Sequence, residues 1–391
     1  MVTVQTADNA LKSYYLDAIS ESLDFKSNAF LSQIEKTSAF VTGKDVKKAV
    51  RTTVSGGIVS GTEVGNLPQA INTKTVQLTA SLKNLYGTIE ITDKAIRASA
   101  NNEGAFVNLL NDEMQALLKN AQYNFGRMLY GDGKGYLAEA TAINDRDITV
   151  DNPQAFVAGM SIKVVNDGGY SDYHTENLLV NSVDYETGVI NVTNLNSDEA
   201  ISDYVTGGSV YIYGNGADEL TGLKAIFGDG DLYGLKRNGN PWLVPYKQTE
   251  AGEITESKVQ KAIDTIEMRS GSKVNFIVCS WGVRRALAEH FRKYTGAMPS
   301  LECAGGFKAL SFNGIPVIAD RFCPTGTMYL LNTDDFKLCQ LCDWKWLEGE
   351  DGKVLKQIAG KPVYTATLVK YAELLCERPC GQGMISGITE A

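Results

Sequence analysis

Residues 101–133 read NNEGAFVNLLNDEMQALLKNAQYNFGRMLYGDG, and their periodicity decides the fold. Phe106, Leu109, Leu110, Met114, Leu117, Leu118, Ala121, Phe125, Met128 and Leu129 recur three and four residues apart, so they trace one face of a helix. Asn101 or Asn102 starts it, and Gly131-Asp132-Gly133 stops it. At 1.5 Å per residue such a helix reaches roughly 40 Å, long for a globular domain and suited to a backbone element.

Beyond the stop, residues 136–217 change character. Short alternating segments at 148–150, 161–165, 178–183, 189–192 and 209–213 are separated by Gly, Asn and Asp turns. This pattern predicts a small all-β module, a barrel or a sandwich. Before the helix, residues 47–90 form a polar β-excursion. Val76, Leu78 and Ala80 alternate with Thr75, Gln77 and Thr79, residues 61–68 (GTEVGNLP) carry turn chemistry, and 85–92 reads as a further strand. An isolated hairpin of this kind is marginal in water, so it needs a surface to lie on, such as another subunit. Residues 7–36 read as one or two short helices with a narrow apolar stripe that includes Phe30, Leu31 and Ile34. They are expected to form an arm outside the core.

The last third is mixed. A helix is expected over 255–270, a strand over 274–279 and a second helix over 280–294. A hairpin turns at Asn313-Gly314, and strands follow over 328–332, 336–343 and 363–376. The full chain of 391 residues allows two or three domains, and 43% apolar with 21% charged residues is a globular composition. A net charge of −9 argues against a dedicated nucleic-acid binder. No apolar run approaches the ~20 residues of a membrane span, and the N-terminal stretch MVTVQTADNALKSYYLD lacks the pattern of a secretory signal, which makes a cytoplasmic origin the default.

The chemistry-bearing motifs are weak. His174 and His290 are the only histidines, a poor endowment for a hydrolase or metalloenzyme. Cys339-Gln340-Leu341-Cys342 has zinc-like spacing but lies in a strand-like run with no turn between the thiols. Cys376 and Cys380 would be a loosely spaced second pair. Gly131–Gly135 follows a helix and opens a β-region, the reverse of a phosphate loop, and Asp229-Gly230-Asp231 lacks the later ligands of an EF-hand. Tyr204, Tyr211 and Tyr213 fit packing better than ligand stacking. No cofactor and no metal is expected, and the chain does not read as an enzyme.

The order of elements resembles the major capsid proteins of tailed bacteriophages with the Hong Kong 97-type fold. The stretches that carry the resemblance are residues 61–68 with 75–92 (TVQLTASLKNLYGTIEIT), 93–133 ending LYGDG, 312–320 (FNGIPVIAD), 324–334 (PTGTMYLLNTD) and 364–379. The resemblance implies an α+β fold with an N-terminal arm over 1–46 and an extended β-hairpin loop over 47–90. A spine helix of the peripheral domain follows over 91–135. In many relatives the Gly-Asp-Gly turn runs almost directly into a Leu-x-Gly-Leu stretch, whereas here residues 136–217 separate it from Leu220-Thr221-Gly222-Leu223. They are therefore expected to be an inserted, barrel-like all-β domain. Residues 218–254 would return to the peripheral domain, 255–362 would form the axial domain, and 363–391 would supply a peripheral strand and the C-terminus.

The implied function is structural. Copies of the chain, as pentamers and hexamers, would form an icosahedral virion shell around double-stranded DNA held without sequence-specific contacts. A scaffolding protein, a portal and decoration proteins would be partners, and no membrane would be involved. Arg51, Glu63, Lys74 and Lys83 are the expected inter-subunit contacts. An encapsulin-type compartment protein, with the same fold and no DNA, is the alternative. A glycan-binding β-protein leaves the long helix and hairpin unexplained, and a zinc enzyme fails on the histidine count.

Overall fold

The computed structural model describes residues 28–53, 58, 60–63, 72–94, 103–165, 177–196, 201, 207–214, 218–295, 300–302, 308–349 and 352–391. The helices expected before residue 28, most of the 61–68 turn, and His174 and Tyr204 lie outside these residues. So do the side chains of Phe106, Leu109 and Leu110.

The chain opens with β1 (Glu35–Thr37), β2 (Val41–Thr42), β3 (Asp45–Arg51), β4 (Thr75–Ser81) and β5 (Lys83–Thr92), followed by helix α1 (Glu103–Tyr130). Six strands come next: β6 (Tyr136–Asn144), β7 (Asp147–Val150), β8 (Ser161–Val165), β9 (Leu178–Asp184), β10 (Val189–Asn194) and β11 (Gly208–Ile212). They close into a barrel in the order β10-β7-β6-β11-β8-β9. Alternation along the strands sends Ile148, Val150, Ile162, Val164, Val180, Ile190, Val192 and Val210 inward, and these form a core separate from the rest of the molecule. Closure removes the exposed edges that a short open sheet would leave.

The last third contains β12 (Tyr246–Gln248), helix α2 (Glu256–Ser270), β13 (Phe276–Cys279), helix α3 (Trp281–Thr295), β14 (Ser300–Glu302), β15 (Lys308–Phe312), β16 (Ile315–Ala319), β17 (Met328–Leu331), β18 (Phe336–Trp346), β19 (Lys356–Gln357), β20 (Val363–Cys376) and β21 (Gly383–Ile385). A seven-stranded sheet runs β12-β21-β17-β13-β16-β15-β14. Its centre is buried on both faces, which is why Phe276–Cys279 and Met328–Leu331 are unbroken apolar runs. Ile277, Cys279, Met328 and Leu330 meet α2 and α3 on one face. Phe276, Val278, Tyr329 and Leu331 face the main core. Thr255 caps α2 through its side chain, and Gly271 ends it in the left-handed conformation.

The second sheet is built on β20. Strand β5 pairs with it from Thr92↔Val363 to Lys83↔Ala372, and β18 pairs along its other side from Cys376↔Phe336 to Leu368↔Trp346. Helix α1 packs against this sheet. A Cβ at Gly87 of β5 would stand 2.8 Å from Leu117 Cδ1, so the glycine permits the close approach.

Three expected boundaries differ. Residues 28–34 belong to the core and not to an arm. Phe30 is fully buried between Tyr130 and Phe336, with ring centroids 6.2 and 5.2 Å away. Its segment is a short 3-10 turn whose Phe30 and Leu31 N–H groups donate to Asn28 Oδ1. Strand β18, assigned by its sequence position to an axial unit, instead lies beside β20, because its long ladder buries Phe336, Leu338 and Cys339 against the main core. The chain then returns, and β21 joins the seven-stranded sheet beside β17.

Candidate assembly interface

Strands β3 and β4 form a seven-pair antiparallel ladder from Asp45↔Ser81 to Arg51↔Thr75. The pairing continues past the strands, where Thr52 N–H donates to Lys74 O at 3.0 Å and Lys74 N–H to Thr53 Oγ1 at 2.9 Å. Val46 and Leu78, near the base, are fully buried in the main core. The ladder has two unlike faces: Val50 and Ala80 pack against the main core beside Val46 and Leu78, whereas Lys47, Ala49, Arg51, Thr75, Gln77 and Thr79 on the other face are exposed, as is Ile58 beyond the strands. Among the described strands, only the two-residue β2 flanks this pair. Among the described residues, the arm therefore offers a polar, charged face and a strand edge, a feature that invites pairing with another chain.

The base of the arm is fastened firmly. The Lys48 ammonium pairs with Glu377 and sits 3.9 Å above the Phe40 ring. Thr79 N–H donates to Tyr233 O, while the Tyr233 hydroxyl donates to Leu374 O at 3.0 Å and accepts from Cys376 N–H at 2.9 Å. One residue with positive φ thus ties β4, through its carbonyl, to β20, through its hydroxyl.

Of the expected contact residues, Arg51 and Lys74 share the outer end of the ladder and are both exposed. Glu63 is exposed in the connection between the strands. Lys83 lies apart from them, on β5 at the foot of the arm, 3.6 Å from Asp218.

A second cluster gathers where the barrel leaves and rejoins the body. Helix α1 ends at Gly131, and Asp132 Oδ1 accepts from Lys134 N–H at 2.9 Å, so the Gly131–Gly135 stretch is a turn. Gly222 returns to the same point. A Cβ there would lie 2.3 Å from Met128 O and 2.6 Å from Gly131 O, so only glycine fits. Arg127 of α1 and Glu219 form a buried bidentate pair, with Arg127 Nη1 donating to Glu219 Oε2 at 3.0 Å. Thr221 N–H donates to Glu373 Oε1 at 2.8 Å, as does Leu374 N–H at 2.9 Å. Glu373 is fully buried, and its Oε2 has no hydrogen-bond partner. Burial pushes its carboxyl up to about 7, against the opposing pull of the two N–H donors and Lys83.

Sequence reasoning missed this cluster, because Glu219 and Glu373 stand alone in unremarkable stretches. It also missed Arg237, whose guanidinium donates to the carbonyls of Gly230, Leu243, Ala225 and Ile226. That side chain organises the loop that had invited comparison with a calcium site. Cys339 and Cys342 both lie on β18, and burial pushes the Cys339 thiol up to about 12, which makes it a poor nucleophile or ligand. Among the described residues, no three potential ligands converge as a metal site, and no helix is long and apolar enough to cross a membrane.

This architecture as a whole has a counterpart among solved structures. The capsid asymmetric unit of cyanophage A-1(L) superposes with a TM-score of 0.55 at 11% identity, over 95% of this chain and 93% of that one. The chain has the fold of a phage capsid protein. The satellite phage P4 procapsid matches more loosely, with a TM-score of 0.47 at 9% identity over 97% of this chain and 99% of that one. The holo-SrpI encapsulin complex of Synechococcus elongatus gives 0.43 at 9% identity, over 93% and 89%. No family model and no curated protein matches the sequence. The capsid fold is therefore legible in the architecture where sequence identity is nearly silent.

Proposed function

We propose that this chain is the major capsid protein of a tailed, double-stranded-DNA bacteriophage. Copies assemble as pentamers and hexamers into an icosahedral shell that encloses the genome without reading its sequence. The observation that carries the reading is the near end-to-end likeness to the cyanophage capsid chain. The β3–β4 arm supports it independently, since one face of its ladder packs on the main core while the other, polar and mixed in charge, is exposed. Arg51, Glu63 and Lys74 would meet a neighbouring subunit there, while Lys83 would act at the foot of the arm. Open edges and mixed charges suit many weak, repeated contacts, which multivalency turns into a stable shell.

The barrel is read as a domain inserted in the turn after α1. Support comes from its separate core and from the return of Gly222 to the Gly131 turn, which leaves both ends of the excursion side by side. Scaffolding, portal and decoration proteins are the expected partners, and the protein acts as a building block and not as an enzyme.

Sedimentation velocity on the purified chain tests the reading. Capsomer-sized or larger species are expected, and a strict monomer at every ionic strength and concentration contradicts it. Nuclease-protected double-stranded DNA inside native particles distinguishes a virus from an encapsulin, which would hold protein cargo.

A further inference from the structure

We propose that the barrel is latched by Arg321 onto helix α1 and onto the loop that follows β16, within one subunit. The latch stands where three bodies meet. Residues 320–322 follow β16 directly and lie along the last turns of α1. Asp320 Oδ2 accepts from the Tyr130 hydroxyl at 2.9 Å. Phe322 packs edge-on against Tyr123, with centroids 5.2 Å apart, and covers Gly126 so closely that a Cβ there would fall 2.5 Å from its ring. The contacts step along one face of the helix at positions 123, 126 and 130.

Arg321 lies between these two anchors and turns toward the barrel. Its guanidinium sits 5.1 Å from the Tyr123 ring of α1 and 5.9 Å from the Tyr185 ring of the barrel. Its Nη2 donates to the Tyr185 hydroxyl at 3.4 Å. The barrel grips the same helix residue directly, since the Tyr123 hydroxyl donates to Gln154 O at 3.0 Å. Tyr185 is itself held in place by donating to Phe156 O. One cation is thus shared between an aromatic ring on the helix and one on the barrel.

The seam around this point is loosely filled. Clefts of about 490 and 460 Å³ flank it, one lined by Tyr123, Val157 and Tyr213, the other by Asn152, Lys224 and Arg321. The barrel core does not merge with either of the other two cores. Docking therefore rests on a few polar and cation–aromatic contacts, and those contacts can open without unfolding any of the three bodies. Because Arg321 lies in the loop after β16 and Tyr123 on the helix, and the barrel touches both, loosening either side loosens the other, as reciprocal coupling requires.

Hydrogen exchange on the full chain, compared in one assembly state, tests this. Arg321→Gln should speed exchange at least about tenfold at residues 153–157, with barrel strands β9 and β10 unchanged, and Arg321→Lys should fall between it and the parent. The decisive variant lies on the barrel. Tyr185→Ala, in an exposed turn, should speed exchange at residues 320–323, on a different element. Unchanged exchange at 320–323 in Tyr185→Ala overturns the latch, as does a barrel that loses protection throughout in Arg321→Gln. None of these readings depends on whether shells form, so they fail or succeed apart from the capsid assignment.

Discussion

Glu373 sits without solvent in the middle of β20, with one oxygen bonded to two N–H groups and the other to none. Its carboxyl is pushed from 4.5 up to about 7, so between those values the folded chain keeps a proton that the unfolded chain has released. Its contribution to stability is fully present below 4.5 and is lost as pH rises through about 7. Glu373→Gln, which mimics the neutral acid, should flatten the stability curve between pH 4.5 and 8. The gain over the parent at the upper end should be about 3 kcal/mol, measured by denaturant unfolding at a series of pH values. A variant whose pH dependence matches the parent's would show that Glu373 does not titrate in this range. Arg127 and Glu219 form the opposite case, a charged pair nearly excluded from water. Arg127→Met strands the carboxylate and should cost about 3–5 kcal/mol, whereas the double change Arg127→Met with Glu219→Leu should recover much of it. Thermal denaturation of both variants gives the comparison.

At the scale of elements, the hairpin and the barrel make separate predictions. Removing residues 56–74 should leave a folded, soluble chain, because Val46 and Leu78 stay in the core and the described residues of the removed stretch, 58, 60–63 and 72–74, are exposed and outside the strands. That chain should no longer assemble, and shells of normal size from it would remove the arm from the interface. A fragment spanning residues 136–217 should unfold cooperatively on its own, since its core is closed and self-contained. A coil-like circular dichroism spectrum would refute that. These elements were legible in the sequence for a physical reason. The helical stripe through Met114, Leu117 and Phe125, the alternation through Val76, Leu78 and Ala80, and the Asn313-Gly314 turn are local patterns. The structure places α1, β4 and a hairpin with positive φ at both turn residues there. What sequence could not show was partnership across the chain. Strand β18 gave no sign that it pairs with β20, Phe30 looked like part of an arm, and β6 was hidden by the alanines of Tyr136–Asn144. The Arg127–Glu219 pair joins residues 92 positions apart, a separation that no local pattern records.

Among the described residues, the sheet built on β20 and the seven-stranded sheet share one core, with α1 laid across the first and two helices backing the second. The barrel is joined at a single turn, and the arm projects from the foot of β5. Under the proposed function, the polar face of the hairpin would be completed by neighbouring subunits. Electron microscopy of the purified full-length protein tests this most directly. Closed angular shells, or tubes and capsomers built from the same repeating unit, are the predicted result. Discrete monomers under every condition, including co-expression with the genes that flank its own, would contradict the account.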